Sequence, residues 1–390
     1  MRTTDRQLTR RKRRRQLKIR RALVLTVLAV LLLLVAVSVV RCVGKRHRGK
    51  IAAKETEDFS VTLRFAGDIN FADDYYPMQH YKKIGAKSVG DVIDPKYIKL
   101  MNDADLMWIN NEFCYSDRGE PYPGKAYTFR ADPKHVRLLT EMGVDVAGLA
   151  NNHVFDYQEE ALLDTFETLK GADIPYVGAG RDIDEAASPV YVKAGPLKVA
   201  FVAAERAEKH QVVTREATKE QAGVLRCYDN ERFVASIREA AGHADYVIAL
   251  PHWGTEHSTE LEDAQIDGAK EYLDAGADAV IGAHPHVLQG ISFYDGKPIA
   301  YSLGNFWFDN YDTMTAIFEL RVTGKVSSAD GEKSGKISGL KTELILYPGR
   351  QKDMETRPAA DDAERDEIFK HLEDISDGIT INDKGIVIYD

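Results

Sequence analysis

The stretch Tyr246–His286, YVIALPHWGTEHSTELEDAQIDGAKEYLDAGADAVIGAHPH, decides the fold. It opens on the apolar run Tyr246–Leu250, which reads as a buried strand. Glu262–Ala275 is amphipathic and reads as a helix, and Ala279–Ile281 reads as a second strand. Strand, helix, strand is the building unit of an α/β sheet. A polar cluster follows each strand, His252-Trp253-Gly254 after the first and His284-Pro285-His286 after the second. In an open α/β sheet, strand C-termini converge on one edge, and ligand sites gather there.

The same pattern recurs toward the N-terminus. Val61–Ala66 leads into Gly67-Asp68, Leu106–Ile109 into Asn110-Asn111-Glu112, and Val144–Leu149 into Asn151-Asn152-His153. Pro175–Val177 and Lys198–Ala203 are further strand candidates. Helix candidates are Pro95–Met101, Pro133–Met142, Glu159–Lys170 and Glu231–Ala241; Asp132-Pro133 supplies a cap followed by proline at the first helical position. Beyond residue 285 the expectation is antiparallel. Val287–Tyr294 and Pro298–Tyr301 flank the hairpin signal Asp295-Gly296, and Thr313–Val322 and Ile337–Leu346 follow as strands. Asp361–Ile375 reads as an acidic amphipathic helix and Ile379–Ile388 as a terminal strand.

Taken singly, the clusters are bland. A Gly-Asp at a strand end is ordinarily a turn, and a lone Glu is ordinarily a solvated loop residue. Five clusters at five strand ends are another matter, because carboxylate, amide and imidazole groups meeting at one edge suit a pair of divalent cations. His284 and His286 are expected on one face of an extended segment, with Pro285 stiffening it. No Cys-x-x-Cys pair exists among the three cysteines, so a metal must be held by His, Asp, Glu and Asn. Cys114 and Cys227 either pair outside the cell or stay buried and unpaired, and the sequence leaves both readings open.

Charge is unevenly spread. Residues 1–50 carry 16 of the 52 Lys and Arg and one of the 61 acids, which leaves 36 bases against 60 acids, a net of −24 on the remainder. That balance excludes a nucleic-acid binder. Ala22–Val40 is a nineteen-residue run without charge. As a helix it spans roughly 28 Å, close to the ~30 Å hydrocarbon core. Eleven Lys and Arg precede it and no Ala-x-Ala-like cleavage site follows. The expectation is a retained signal anchor with a cytoplasmic N-terminus and an extracellular C-terminal bulk. Residues 1–21 are then a basic cytoplasmic segment, 22–40 the membrane helix, 41–58 a stalk, 59–350 the main domain, and 351–390 a helix and strand packed on it.

The blocks GDIN, NNE, ANNH, HWGTEH, GAHPHVLQG and YSLGNFWF, in this order between Val61 and Phe308, resemble the CapA family of poly-γ-glutamate capsule synthesis. That family is similar to the calcineurin-like metallophosphoesterases. The resemblance implies a four-layer α/β/β/α sandwich with two divalent metal ions (Zn, Mn or Fe) between loops. It implies Asp68 on one ion, Glu112 bridging, Asn152 and His252 on the second, and His284 and His286 one on each. His153 would protonate a leaving group. Asn70 stands where the usual phosphoesterase pattern has histidine, and Glu112 where it has aspartate. Glu256 and Arg130 are candidate substrate contacts, Arg130 because its fork suits a carboxylate or phosphate.

Two functions follow from the resemblance. One is a membrane-anchored metal-dependent hydrolase or transferase, acting on poly-γ-glutamate or a related anionic envelope polymer during its synthesis, export or anchoring. The other is a non-catalytic subunit that grips the polymer alongside other capsule synthesis or export proteins.

Overall fold

The computed structural model describes residues 55–207, 214–328 and 335–389, together with Val35. Apart from Val35, the expected membrane segment Ala22–Val40 lies outside the described residues, as do the basic segment before it and residues 41–54 of the stalk. Among the described residues no helix is long and apolar enough to cross a membrane. The chain divides into two compact units, Met1–Thr56 with Ser327–Gly335, and Glu57–Val326 with Lys336–Asp390. The candidate site belongs to the second.

Two sheets make its centre. The first runs in the order Glu355–Pro358, Lys336–Lys352, Thr313–Ser328, Glu55–Ile69, Leu106–Asn111, Val146–Gly148, Tyr176–Val177, and Asn305–Trp307 adds to the end of Glu55–Ile69. The second runs Ile291–Tyr294, Lys297–Ala300, Ala279–Ile281, Tyr246–Trp253, Leu197–Arg206, Val190–Ala194. The middle strands of both are parallel, so their C-termini point the same way within each sheet. Parallel strands are covered on both faces, which is why they read as unbroken apolar runs.

Alternate side chains along these strands fill different layers. Leu63, Phe65, Trp108 and Val146 meet Val199, Phe201, Ile248, Leu250 and Ile281 between the sheets. Met107, Ile109 and Ala147 face outward against Leu138, Leu139, Leu162 and Phe166 of the helices Val136–Glu141 and Gln158–Gly171. Val202, Val247 and Ala249 pack outward on Phe233, Ile237, Tyr272 and Leu273 of the helices Glu231–Ala241 and Asp263–Asp274. The layers are helix, sheet, sheet, helix, and each buried Phe or Leu contributes about 1.5–3 kcal/mol. Truncating Phe201 to alanine is expected to cost about 3–5 kcal/mol.

Most expected elements appear within a few residues, and the differences have local causes. Pro133–Met142 splits into the 3-10 turn Pro133–His135, capped by the Asp132 side chain on Lys134 N–H, and the helix Val136–Glu141. Val287–Tyr294 begins as a strand only at Ile291, because residues before it belong to the site loop. The hairpin at Asp295-Gly296 has positive φ at both positions, the twist a two-residue turn requires. The expected terminal strand Ile379–Ile388 is two short antiparallel strands, Ile379–Ile381 and Val387–Tyr389. Asp362–Asp374 is helical and buries Ile368, Phe369 and Leu372 in the inter-sheet core. The helices Tyr76–Lys83 and Ile183–Ala187 and the strand Val190–Ala194 were not apparent from the sequence pattern.

Candidate metal centre

The strand ends meet. Asp68 closes Glu55–Ile69, Glu112 follows Leu106–Asn111, and Asn152 and His153 follow Val146–Gly148. From the second sheet come His252, within Tyr246–Trp253, and His284 and His286 beyond Ala279–Ile281. Asp68, Glu112 and Asn152 are 0% exposed, and none of the three histidines exceeds 7%. Gly67 makes the approach possible. A Cβ there would stand 1.8 Å from Gly304 O, so only glycine lets Asn305–Trp307 pair beside Asp68.

Two groups of three could each hold an ion, Asp68 with Glu112 and His286, and Glu112 with His252 and His284. Glu112 belongs to both. Its Oε1 lies 3.7 Å from His252 Nε2 and 3.8 Å from His286 Nε2. Asp68 Oδ2 lies 3.2 Å from His286 Nδ1. His252 Nε2 is 2.8 Å from Asn152 Oδ1 and 3.1 Å from His284 Nδ1. The outer carboxylate oxygens are held by one amide: Asn110 Nδ2 donates to Asp68 Oδ1 at 2.7 Å and to Glu112 Oε2 at 2.9 Å. Asn110 Oδ1 in turn accepts from Asn151 Nδ2 at 3.0 Å. Among the described residues, the inner oxygens Asp68 Oδ2 and Glu112 Oε1 accept no hydrogen bond and Asn152 Nδ2 donates none.

Buried carboxylate oxygens without donors are costly. Burial and the neighbouring Asp68 push the Glu112 carboxyl well above its ordinary range. Burial opposes charge on His286, yet Glu112 and Asp68 raise it to about 10. The pocket therefore draws in positive charge, and an oxygen and imidazole donor set of this kind fits divalent cations.

The route by which His284 and His286 arrive is not the expected one. The segment is not extended: His284 has φ 104° and His286 φ 59°, both in the left-handed region and strained for a side-chain-bearing residue. Strand pairing ends at the bridge between His252 and Ala283, and Pro285 does not hold His284 extended. The two turns send the rings apart, His284 toward His252 and His286 toward Asp68, with centroids 6.1 Å from each other.

His153 sits beside Asn152, its Nδ1 2.7 Å from Asp156 Oδ2 and its ring 4.3 Å from that of Phe129. Asp156 also accepts Phe129 N–H at 2.7 Å and pairs at 2.5 Å with Lys125, whose ammonium further reaches Asn152 O. Asp156 and Lys125 were not singled out from the sequence, and Asn110 and Asn151 were named only as members of their clusters, with no role of their own. The i, i+3 spacing of His153 and Asp156 was the available signal. Glu256 is half-buried and its charge reaches Glu112. Arg130 donates to Arg118 O and Gly119 O at 3.0 and 3.1 Å and lies 4.0 Å over the Tyr157 ring, lining a 390 Å³ hollow with Asp73, Asp117 and Asp132. A hollow of 680 Å³ abuts the Asn152 side through Thr214, whose Oγ donates to Asn152 O at 3.2 Å. Cys114 and Cys227 are both buried.

The sequence profile of the bacterial capsule synthesis protein PGA_cap matches residues 62–310. The capsule biosynthesis protein CapA of Bacillus anthracis is 31% identical over 295 residues, covering 74% of this chain and 69% of the relative. The PGA biosynthesis protein CapA of Bacillus subtilis is 31% identical over 273 residues, covering 70% and 69%. Among solved structures, a phosphatase from Mycoplasma pneumoniae is similar at TM-score 0.40 and 12% identity, over 74% of this chain and 95% of that one.

Proposed function

The chain belongs to the bacterial capsule synthesis protein family PGA_cap, and from that premise we propose a membrane-anchored, metal-dependent hydrolase or transferase that acts outside the cell on poly-γ-glutamate or a related anionic envelope polymer. The observation that carries the reading is Glu112, whose donorless inner oxygen is shared between two ligand groups. Asp68, Glu112 and His286 would hold one divalent ion, and Glu112, His252, His284 and Asn152 the other. When bound, such ions supply Lewis acidity that activates water and polarises an electrophilic phosphorus or carbonyl.

The chain's own residues do the rest. Asn110 anchors the outer carboxylate oxygens so that the inner ones face the cleft. Asp156 orients His153 through Nδ1, and His153 would protonate a leaving group. Lys125 balances the Asp156 charge, and Phe129 shields the ring from water. Glu256 is the candidate polymer contact, while Arg130, engaged by loop carbonyls, shapes the neighbouring hollow. Residues 51–390 carry −24, so four positive charges in the cleft would reverse the local field that otherwise repels a polyanion.

The test is turnover by the purified full-length chain on poly-γ-glutamate and on an aryl phosphodiester, after chelation and after reloading with Mn²⁺ or Zn²⁺. Turnover should return only with metal and be lost in Asp68→Asn. Metal-dependent polymer binding without any turnover would make the chain a gripping subunit instead. Polymer binding indifferent to chelator would contradict both.

A further inference from the structure

A buried row of polar groups runs from a backbone N–H to His286. Phe308 N–H donates to Gln351 Oε1 at 2.6 Å, and Gln351 Nε2 donates to Asp309 Oδ1 at 2.9 Å. Asn305 Nδ2 donates to Asp309 Oδ2 at 2.9 Å, and Asn305 Oδ1 stands 2.8 Å from His286 Nδ1. Asn305, Asp309 and Gln351 are at most 3% exposed, so water does not compete for these contacts. The direction of every link is forced. A backbone N–H can only donate, which orients the Gln351 amide, and a carboxylate can only accept, which orients the Asn305 amide. Amide orientation is ordinarily ambiguous; here the two ends of the row leave one assignment. His286 Nδ1 must then carry hydrogen, and Nε2 is the atom turned to Glu112 Oε1.

We propose that Asn305 and Asp309 are positioning residues that fix which nitrogen of His286 faces the metal position, holding Nδ1 as the donor and Nε2 as the ligand atom. The proposal rests on the metal reading of the site. The backbone gives His286 little help, since it sits in a left-handed turn of a loop. The row supplies what the loop lacks. It ties the ring to the first sheet through Asn305, which is in register with Asp68, and through Gln351 on the Lys336–Lys352 strand. A carboxylate behind the amide also makes Asn305 Oδ1 a better acceptor, which raises the basicity of Nε2.

Zinc affinity of the full-length chain, measured by competition with a chromophoric chelator, tests this, with the histidine ¹⁵N spectrum of the zinc-loaded protein as a second readout. Asp309→Asn frees the amide at 305 to turn over, and should weaken zinc at one of the two positions by about 10–100-fold. The double variant Asn305→Asp/Asp309→Asn moves the carboxylate one link along and keeps every donor facing an acceptor, so it should regain the wild-type affinity. The wild-type spectrum should show His286 protonated on Nδ1 and coordinated through Nε2. Unchanged affinity in Asp309→Asn, a double variant as weak as the single one, or coordination through Nδ1 would each overturn the proposal. If Asp309→Asn does not fold, the double variant decides alone, because it must bind zinc as the wild type does. A wild-type chain that takes up no zinc, manganese or iron would overturn the metal reading as well.

Discussion

Glu319 and Glu112 are both fully buried beside the strand Glu55–Ile69, one near Arg64 and the other near Asp68, yet the fold treats them in opposite ways. Glu319 Oε2 accepts from Arg64 Nε at 2.8 Å and from the Tyr347 hydroxyl at 2.9 Å, and its Oε1 accepts from Arg321 at 2.8 Å. Both oxygens are answered by protein. Glu112 has one oxygen on Asn110, while the other accepts from none of the described residues, and its neighbour Asp68 carries the same sign. A buried charge persists when it is paired and hydrogen-bonded. Here two acids open to one cleft beside His252, His284 and His286, and such a cluster favours a bound cation. The first arrangement holds the sheet together; the second leaves a buried oxygen open at the cleft.

Substitutions should separate the two most sharply at Glu112. Glu112→Gln is expected to lower turnover by about 10³-fold or more. The metal-free variant should nonetheless melt at or above the metal-free wild type, because an unanswered buried charge has gone. A lower melting temperature would erase the contrast. Glu319→Gln should do the reverse. It leaves Arg64 uncompensated, and chemical denaturation should show a loss of about 3–5 kcal/mol, with metal content unchanged. Asp156 is the intermediate case, a buried acid answered by Lys125 and His153 but aimed at the cleft. Asp156→Asn should lower turnover about 100-fold and leave metal content alone; a parallel loss of metal would make it part of the ligand shell.

The smallest effect belongs to a carboxylate near the surface. Hydrogen bonds from Arg357, working against partial burial, hold Glu364 down from 4.5 to about 2. A depressed acid stabilises the fold above its unfolded pKa and loses that contribution as pH falls through the folded one. Glu364→Gln should therefore cost about 1 kcal/mol or less at neutral pH. Its difference from wild type should shrink as pH falls from about 4.5 to about 2, read by denaturant titration at several pH values.

Much of the architecture was legible because the middle strands of both sheets bury both faces. Runs such as Tyr246–Leu250 and Ala279–Ile281 are apolar throughout, and each ends on residues too polar to continue a core. The helix Tyr76–Lys83 escaped because its short segment, YPMQHYKK, has too few apolar positions to show a period. His284-Pro285-His286 was legible as chemistry but not as geometry. The same-face rule for i and i+2 holds on a strand, and pairing stops at Ala283. Left-handed backbone at two histidines is something only the packed loop can impose. Asn110 and Asn305 stand in blocks the sequence marks, but their roles, like those of Asp156 and Asp309, depend on partners two to 142 residues away that only the fold brings together.

Metal content per chain tests the central claim most directly. Elemental analysis of the full-length protein, incubated with Mn²⁺ or Zn²⁺ and then freed of loose ions, should find two divalent ions in the wild type and none held tightly in Glu112→Gln, while Glu319→Gln keeps both. A wild type that retains no ion, or a Glu112→Gln chain that retains two, would contradict it.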